Sequence, residues 1–299
     1  MKQLSIIIVT YNSERDIYDC LASIKEQADL STDEMEIIVV DNNSEYSETM
    51  FTEIRNRFGS EIILLKNTSN GGYGQGNNLG IRQASAPVIM IMNPDVRLTE
   101  PVFKTAVEAF QQDERLGMYG MKQMLSSSEP STNSFTCSNT LNGYLATILT
   151  ALCNRSDRYI SRYMYLSGSC FFIRKQMFEK IGLFDEDIFM YGEEDDIHYR
   201  MRKQFGCRIT YNPQLHYIHL TKERKPDLEY EKKVFHSVCA MLQKRGIPQK
   251  DIVSNRLRSI NLQLWREQLR TAFGKGNPSL HKMLKGLKQH LKTLEHAKK

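Results

Sequence analysis

Carboxylates, short amides and glycines stand at the places in this sequence where chemistry is most readily built. Four acids run together as Glu193-Glu194-Asp195-Asp196. On a helix they fan out, so only some can face one cleft. Asp196 and Arg200 are four apart and suit a structural ion pair, which leaves Glu193, Glu194 and Asp195 for the cleft. Crowded like charges raise the pKa of at least one member toward the range of a general base. Asp95 follows an apolar run through Asn93-Pro94. A carboxylate there suits Mg²⁺ or Mn²⁺, hard ions that prefer oxygen and share it with substrate phosphates. His216 and His219 offer nitrogen to the same ion. The glycine-rich stretch 70–80, NGGYGQGNNLG, lets backbone N–H groups approach a diphosphate at the start of a helix. It lacks the Gly-Lys-Ser/Thr of a Walker loop, and Leu79 replaces the third glycine of a dinucleotide fingerprint.

Such groups need strands to place them. Residues 4–10, 36–40, 62–65 and 88–92 are short apolar runs typical of buried parallel strands. Helical spacing separates them, at Ile17, Cys20, Leu21 and Ile24 and again at Ile54 and Phe58. The alternation predicts a doubly wound α/β layer. Ser13 and Asp16 fit a capping box for the first helix. In open α/β sheets ligands bind beyond the carboxyl ends of the strands. There the sequence places Thr10-Tyr11-Asn12, Asp41-Asn42-Asn43-Ser44, the glycine-rich stretch and Asn93-Pro94-Asp95, a convergent polar rim.

Further on, residues 126–138 are rich in Ser, Thr and Asn and read as a mobile loop. Strands are expected at 164–173 and 207–211, with a helix at 193–204 between them. From 227 onward helices dominate, at 230–244, 252–273 and 280–296. The expected division is an α/β domain over 1–221 and a helical region over 222–299.

Taken in order, these segments resemble the large inverting glycosyltransferase family numbered two, with its GT-A fold, a Rossmann-like sandwich. The resemblance rests on SIIIVTYN (5–12), IIVVDNNS (37–44), NGGYGQGNNLGI (70–81), MNPDV (92–96), LSGSCFFIR (166–174) and GLFDEDIFMYGEEDDIHYR (182–200). It extends to His219, and within the family it is nearest to bacterial rhamnosyltransferases of O-antigen, capsule and cell-wall polysaccharides. It implies that Thr10 and Asp41 hold a pyrimidine base and its ribose or deoxyribose, with Tyr11, Asn12 and Asn43 beside them. Gly72, Tyr73 and Asn78 would line the donor site, and Gly168, Ser169 and Asp185 would border the acceptor. Asn93 and Asp95 match the family's metal-binding motif, with Asn in place of its first acid, and His219 matches a metal-binding histidine. Glu194 takes the place of the catalytic base, a longer side chain than the usual Asp, and Asp195 is held in reserve. The donor implied is dTDP-L-rhamnose, with a UDP-sugar as the alternative. The acceptor implied is a growing saccharide or a polyprenyl-diphosphate-linked one. A non-catalytic nucleotide-sugar-binding scaffold is the rival outside the class.

Charge is unevenly placed. Residues 222–299 hold 19 Lys and Arg against 7 Asp and Glu, a balance of +12, while residues 1–221 balance at −7. Leu284, Leu287, Leu291 and Leu294 form an apolar stripe ringed by lysines, which suits an anionic membrane, the α/β domain or a second subunit in a homodimer. Nucleic acid is not expected, because aromatic and basic residues do not interleave. The first apolar run is too short for a signal peptide, and no window approaches a membrane span. The expectation is a cytoplasmic chain, at most peripheral at the inner face of the plasma membrane. Six cysteines without Cys-x-x-Cys spacing read as reduced, buried thiols.

Overall fold

Leu4–Thr10 (β1) is buried at every position but the half-buried Val9, as a strand covered on both faces must be. The computed structural model describes residues 1–141, 143–220 and 225–296, apart from the side chain of His296. After β1 come Glu14–Glu26 (α1), Met35–Asp41 (β2), Ser47–Phe58 (α2), Ile63–Lys66 (β3), Gly72–Gln83 (α3) and Val88–Met92 (β4). Val96–Leu98 (β5), Phe103–Gln112 (α4), Leu116–Met124 (β6), Phe135–Cys137 (β7) and Gly143–Arg155 (α5) follow. Next are Met164–Leu166 (β8), Cys170–Arg174 (β9), Lys175–Lys180 (α6), Glu193–Phe205 (α7) and Arg208–His219 (β10). The chain closes with Leu228–Lys244 (α8), Gln249–Ala272 (α9) and Pro278–His296 (α10).

Two compact units divide the chain, residues 1–136 with 154–221, and residues 137–153 with 222–299. The segment 137–153 thus joins the C-terminal unit, which the sequence reading placed after 221. In the first unit eight strands form one sheet in the order β3-β2-β1-β4-β9-β6-β10-β5. β1 runs parallel to β2 and β4, whereas β9 is antiparallel to β4 and β6. The registers bring Thr10 opposite Asp41 and Ile8 opposite Met92, so the polar rim gathers at one sheet edge. Ile17, Leu21 and Ile24 of α1 and Phe103, Val107 and Phe110 of α4 bury their stripes in the core beneath it.

Several elements differ from expectation. Ser13 makes no cap bond, and its hydroxyl donates to Tyr11 O instead, so no capping box forms. The expected strand over 164–173 is two strands, with a turn at 167–169. The expected loop over 126–138 contains β7, and Pro130 bridges to Met124. The strand expected at 207–211 runs on to His219, with a register irregularity between Asn212 and His216. Pro213 lies within that irregularity and has no N–H for the ladder. Both histidines therefore sit inside β10, and His219 pairs opposite Val96 of β5.

In the C-terminal unit α10 packs on α8 and α9. Leu284, Leu287 and Leu291 are at most 2% exposed and Leu294 is half-buried, so most of this stripe is covered. All six cysteines are free and buried. No helix of the described residues is long and apolar enough to cross a membrane.

Candidate active site

Thr10 and Asp41 end adjacent strands and are fully buried. The Thr10 hydroxyl donates to Asp41 Oδ1 (3.1 Å), and the same carboxylate accepts from Ser44 N (2.9 Å) and Ser44 Oγ (2.5 Å). Asn12 N–H donates to Ser44 Oγ (2.8 Å), and Glu45 N–H donates to Asn12 Oδ1 (3.2 Å). Asp41 thus organises the two strand ends, while Tyr11 and Asn43 stand exposed above it. Asn12 and Asn43 both adopt positive φ, 50° and 64°, a conformation Asn tolerates in tight turns.

The glycine-rich stretch folds as α3, and its glycines serve packing. A Cβ on Gly76 would lie 2.7 Å from Val9 Cγ1, and one on Gly80 would lie 2.6 Å from Ile7 Cγ2. Their absence lets α3 lie directly on β1 and β2. Gly72, at φ +91°, passes so close to Phe189 that a Cβ would lie 2.1 Å from its carbonyl oxygen. Gly72 N–H donates to Asn70 Oδ1 (3.0 Å) and Tyr73 N–H to Phe189 O (3.2 Å). These two N–H groups, expected to meet a diphosphate, already have protein partners. Asn78, 1% exposed, donates to Phe184 O (3.0 Å) and Glu186 Oε1 (2.9 Å) and accepts from Phe184 N (3.0 Å). It ties down residues 184–186 and has little left for a ligand. Asp185, half-buried in the same stretch, accepts from Asp187 N (3.1 Å).

Asp95 and His219 meet because β5 and β10 pair. His219 Nε2 lies 3.2 Å from Asp95 Oδ1, and His219 Nδ1 is buried with no hydrogen-bond partner. His216 bonds Glu100, Nδ1 to Oε1 at 2.9 Å. Asn93 N–H donates to Ser169 O (2.8 Å). The Ser169 hydroxyl, 4% exposed, belongs to a buried network with Tyr217 (2.9 Å) and Gln123 (3.3 Å). Ser169 therefore holds Asn93 in place and does not face outward. Gln123 and Tyr217 were not flagged by the sequence, where a lone Gln and Tyr carry no motif.

No group of three metal-ligating side chains occurs among the described residues. One carboxylate beside one imidazole, with an orphaned ring nitrogen, still fits a hard divalent cation that completes its shell with substrate phosphates and water.

The acids begin α7, where the helix dipole favours negative charge. Asp196 pairs with Arg200, Oδ2 to Nε at 2.6 Å, as expected from their spacing. Asp195 is fully buried. Glu193 is 2% exposed, and its Oε1 has no hydrogen-bond partner. Burial, then the neighbouring Glu194 charge, hold its carboxyl well above the usual range. Glu194 is half-buried. Burial pushes its pKa up, its own and Gly192's backbone N–H groups oppose this, and Asp195's charge adds to the rise.

Two contacts hold Glu194, and a third braces one of them. Gly168 is so close that a Cβ there would lie 2.0 Å from Glu194 Oε1. Tyr73 donates its hydroxyl to Gly168 O (2.6 Å), and burial followed by the nearby Glu194 and Glu193 charges keep that phenol protonated. His198 Nε2 accepts from Leu166 N (3.0 Å), which puts the ring proton on Nδ1, 2.7 Å from Glu194 O. His198 follows Glu194 by one helical turn, a spacing visible in the sequence. The Gly168-Ser169 turn thus touches Glu194 with one residue and Asn93 with the next.

A cavity of about 300 Å³ lies in the C-terminal unit, lined among others by Leu242, Asp251 and Arg258, and holds none of these residues.

A low-salt glycan biosynthesis hexosyltransferase, Agl10 of Haloferax volcanii, is 29% identical over 209 residues, 68% of this chain and 63% of that protein. TarS of Staphylococcus aureus, a poly(ribitol-phosphate) β-N-acetylglucosaminyltransferase, is 31% identical over 107 residues, 36% of this chain and 18% of TarS. The chain therefore spans less than two thirds of either relative. Among solved structures, the mannosyltransferase PcManGT of Pyrobaculum calidifontis, in complex with GDP-Man and Mn²⁺, superposes with TM-score 0.64. It is 14% identical and is matched over 100% of this chain and 89% of its own. TarS 1-349 in complex with UDP-GlcNAc superposes at 0.53, with 16% identity over 99% of this chain and 91% of that one. These likenesses show the GT-A fold. Residues 5–182 match the family described as Glycosyl transferase family 2, and the chain belongs to that family.

Proposed function

We propose that the chain is a hexosyltransferase that moves a sugar from a nucleoside diphosphate to a saccharide hydroxyl with inversion, and that Glu194 is its base. The observation that carries the reading is the Gly168-Ser169 turn, which packs Glu194 against one residue and fixes Asn93, two positions before Asp95, with the next. A proton acceptor and a phosphate-side carboxylate thus share one rigid support.

In the reaction the acceptor O–H gives its proton to Glu194 as its oxygen attacks the anomeric carbon. The bond from that carbon to the diphosphate oxygen breaks, and the diphosphate leaves with the electron pair. Glu194 serves better than Asp195 because it is only half-buried and can meet an acceptor, whereas Asp195 is fully enclosed. Asp95 and His219 would hold Mg²⁺ or Mn²⁺. Such an ion, when bound, would neutralise charge developing on the departing diphosphate. Thr10, Tyr11, Asn12, Asp41 and Asn43 form the base and ribose end, with Asp41 acting mainly through the order it imposes on its neighbours.

For the donor, the resemblance to rhamnosyltransferases supports dTDP-L-rhamnose, while the UDP-GlcNAc and GDP-Man of the solved relatives support other hexoses. Thermal shift with dTDP, UDP, GDP and their sugars, with and without Mn²⁺, separates these. Ligand at 100 times its Kd adds about 2.7 kcal/mol of stability. A metal-enhanced shift confined to one nucleotide names the donor class. Folded protein that responds to no nucleotide removes the donor site and the proposal with it.

A further inference from the structure

The apolar stripe on α10, which suits a membrane, the α/β domain or a second subunit, is mostly buried. Another is exposed on α9. Trp265, Leu269 and Phe273 follow at i, i+4 and i+8 and are 57%, 43% and 79% exposed. They form one apolar row about 12 Å long at the end of α9. Arg258, Arg266, Arg270 and Lys275 are exposed around it. From 257 to 294 the chain carries eight Lys and Arg and a single acid, Glu267. Glu267 is 3% exposed, and its carboxylate accepts from Asn277 N and lies 3.8 Å from Arg270. No exposed carboxylate in that stretch offsets the cations.

We infer that the Trp265-Leu269-Phe273 row is a peripheral docking face for an anionic lipid bilayer. An aromatic and apolar row inserts at the headgroup boundary, where tryptophan is favoured, and flanking cations meet lipid phosphates. A second copy of this chain fits less well. A two-fold contact through the row would bring the same four cations of both copies together. Three side chains also supply well under the roughly 800 Å² per partner of a stable interface. The exposed row Leu145, Ile148 and Leu152 on α5 is left aside, because that helix has no charged residue before Arg155. The inference stands apart from the transfer reading, since none of these residues belongs to the candidate active site.

The chain reports on this face by itself, because Trp265 is its single tryptophan. The 299-residue chain is mixed with phosphatidylcholine vesicles with and without phosphatidylglycerol, and emission and co-sedimentation are read together. The expected result is a blue shift and pelleting with anionic vesicles, both weakened by high salt, and neither with phosphatidylcholine alone. The double variant L269S/F273S keeps the tryptophan and is expected to lose about tenfold or more in vesicle affinity. Its helical signal and its donor-induced thermal shift should be unchanged. Absence of pelleting overturns the inference, and so does pelleting with unchanged emission, which moves the contact to another surface. A blue shift that grows with protein concentration without vesicles also overturns it and assigns the row to self-association.

Discussion

Replacing Gly168 by alanine adds one methyl group where the structure has no room. The new Cβ would stand 2.0 Å from Glu194 Oε1 and 2.8 Å from Glu194 Cδ and Cγ. Ordinary contact needs about 3.5 Å, so the carboxylate must retreat by roughly 1–1.5 Å. The obstructing atoms are the end of a flexible side chain, and Gly168 is not among the glycines at positive φ. The fold should therefore absorb the change at little cost. A base displaced by about 1 Å loses on the order of 10²-fold in rate. We expect Gly168→Ala to lower kcat by about that factor, with the melting temperature and nucleotide affinity near those of the native chain. The assay is release of nucleoside diphosphate in the presence of acceptor, with donor binding followed by thermal shift. A variant with native kcat would refute the placement of Glu194 as base. Activity lost only through unfolding would refute the claim that the contact is local.

Other consequences follow from neighbouring contacts. Asn78→Ala strips three hydrogen bonds from a buried site and should cost about 1–3 kcal/mol in denaturant unfolding, with residues 184–186 loosened first. Glu193 has a folded pKa well above its unfolded one, so its contribution to stability is full below the ordinary carboxylate range and lost as pH rises through the folded value. Glu193→Gln removes that loss, and its advantage in melting temperature over the native chain should widen between about pH 5 and pH 8; a constant difference contradicts the burial argument. Asp95→Asn should abolish the enhancement of nucleotide binding by Mn²⁺ while leaving metal-free binding in place, as read by thermal shift.

Much of the frame was legible because it depends on local pattern. The runs at Leu4–Thr10, Met35–Asp41 and Val88–Met92 are apolar on both faces, and only a covered sheet accommodates them. The polar residues at their ends could then be placed by topology alone. What was illegible depends on close approach between distant segments. The glycines of α3 read as a phosphate cradle, yet Gly76 and Gly80 are needed because Val9 and Ile7 lie against them. Asn78, which the resemblance places along the donor site, also ties to Phe184 across 106 residues, a contact no local pattern announces. His219 found Asp95 through a strand whose length Pro213 concealed. The stripe on α10 was correctly seen as apolar, but nothing in one helix says what covers it.

The most direct test compares Glu194→Gln with the native protein in two readings made on the same sample, donor binding and donor turnover. The substitution keeps size and removes the charge that accepts the proton. Donor binding should survive, with a metal-enhanced thermal shift close to native, while acceptor-dependent release of nucleoside diphosphate falls by about 10² to 10⁴-fold. Turnover at the native rate with intact binding would contradict the account, because the proton would then leave by another group.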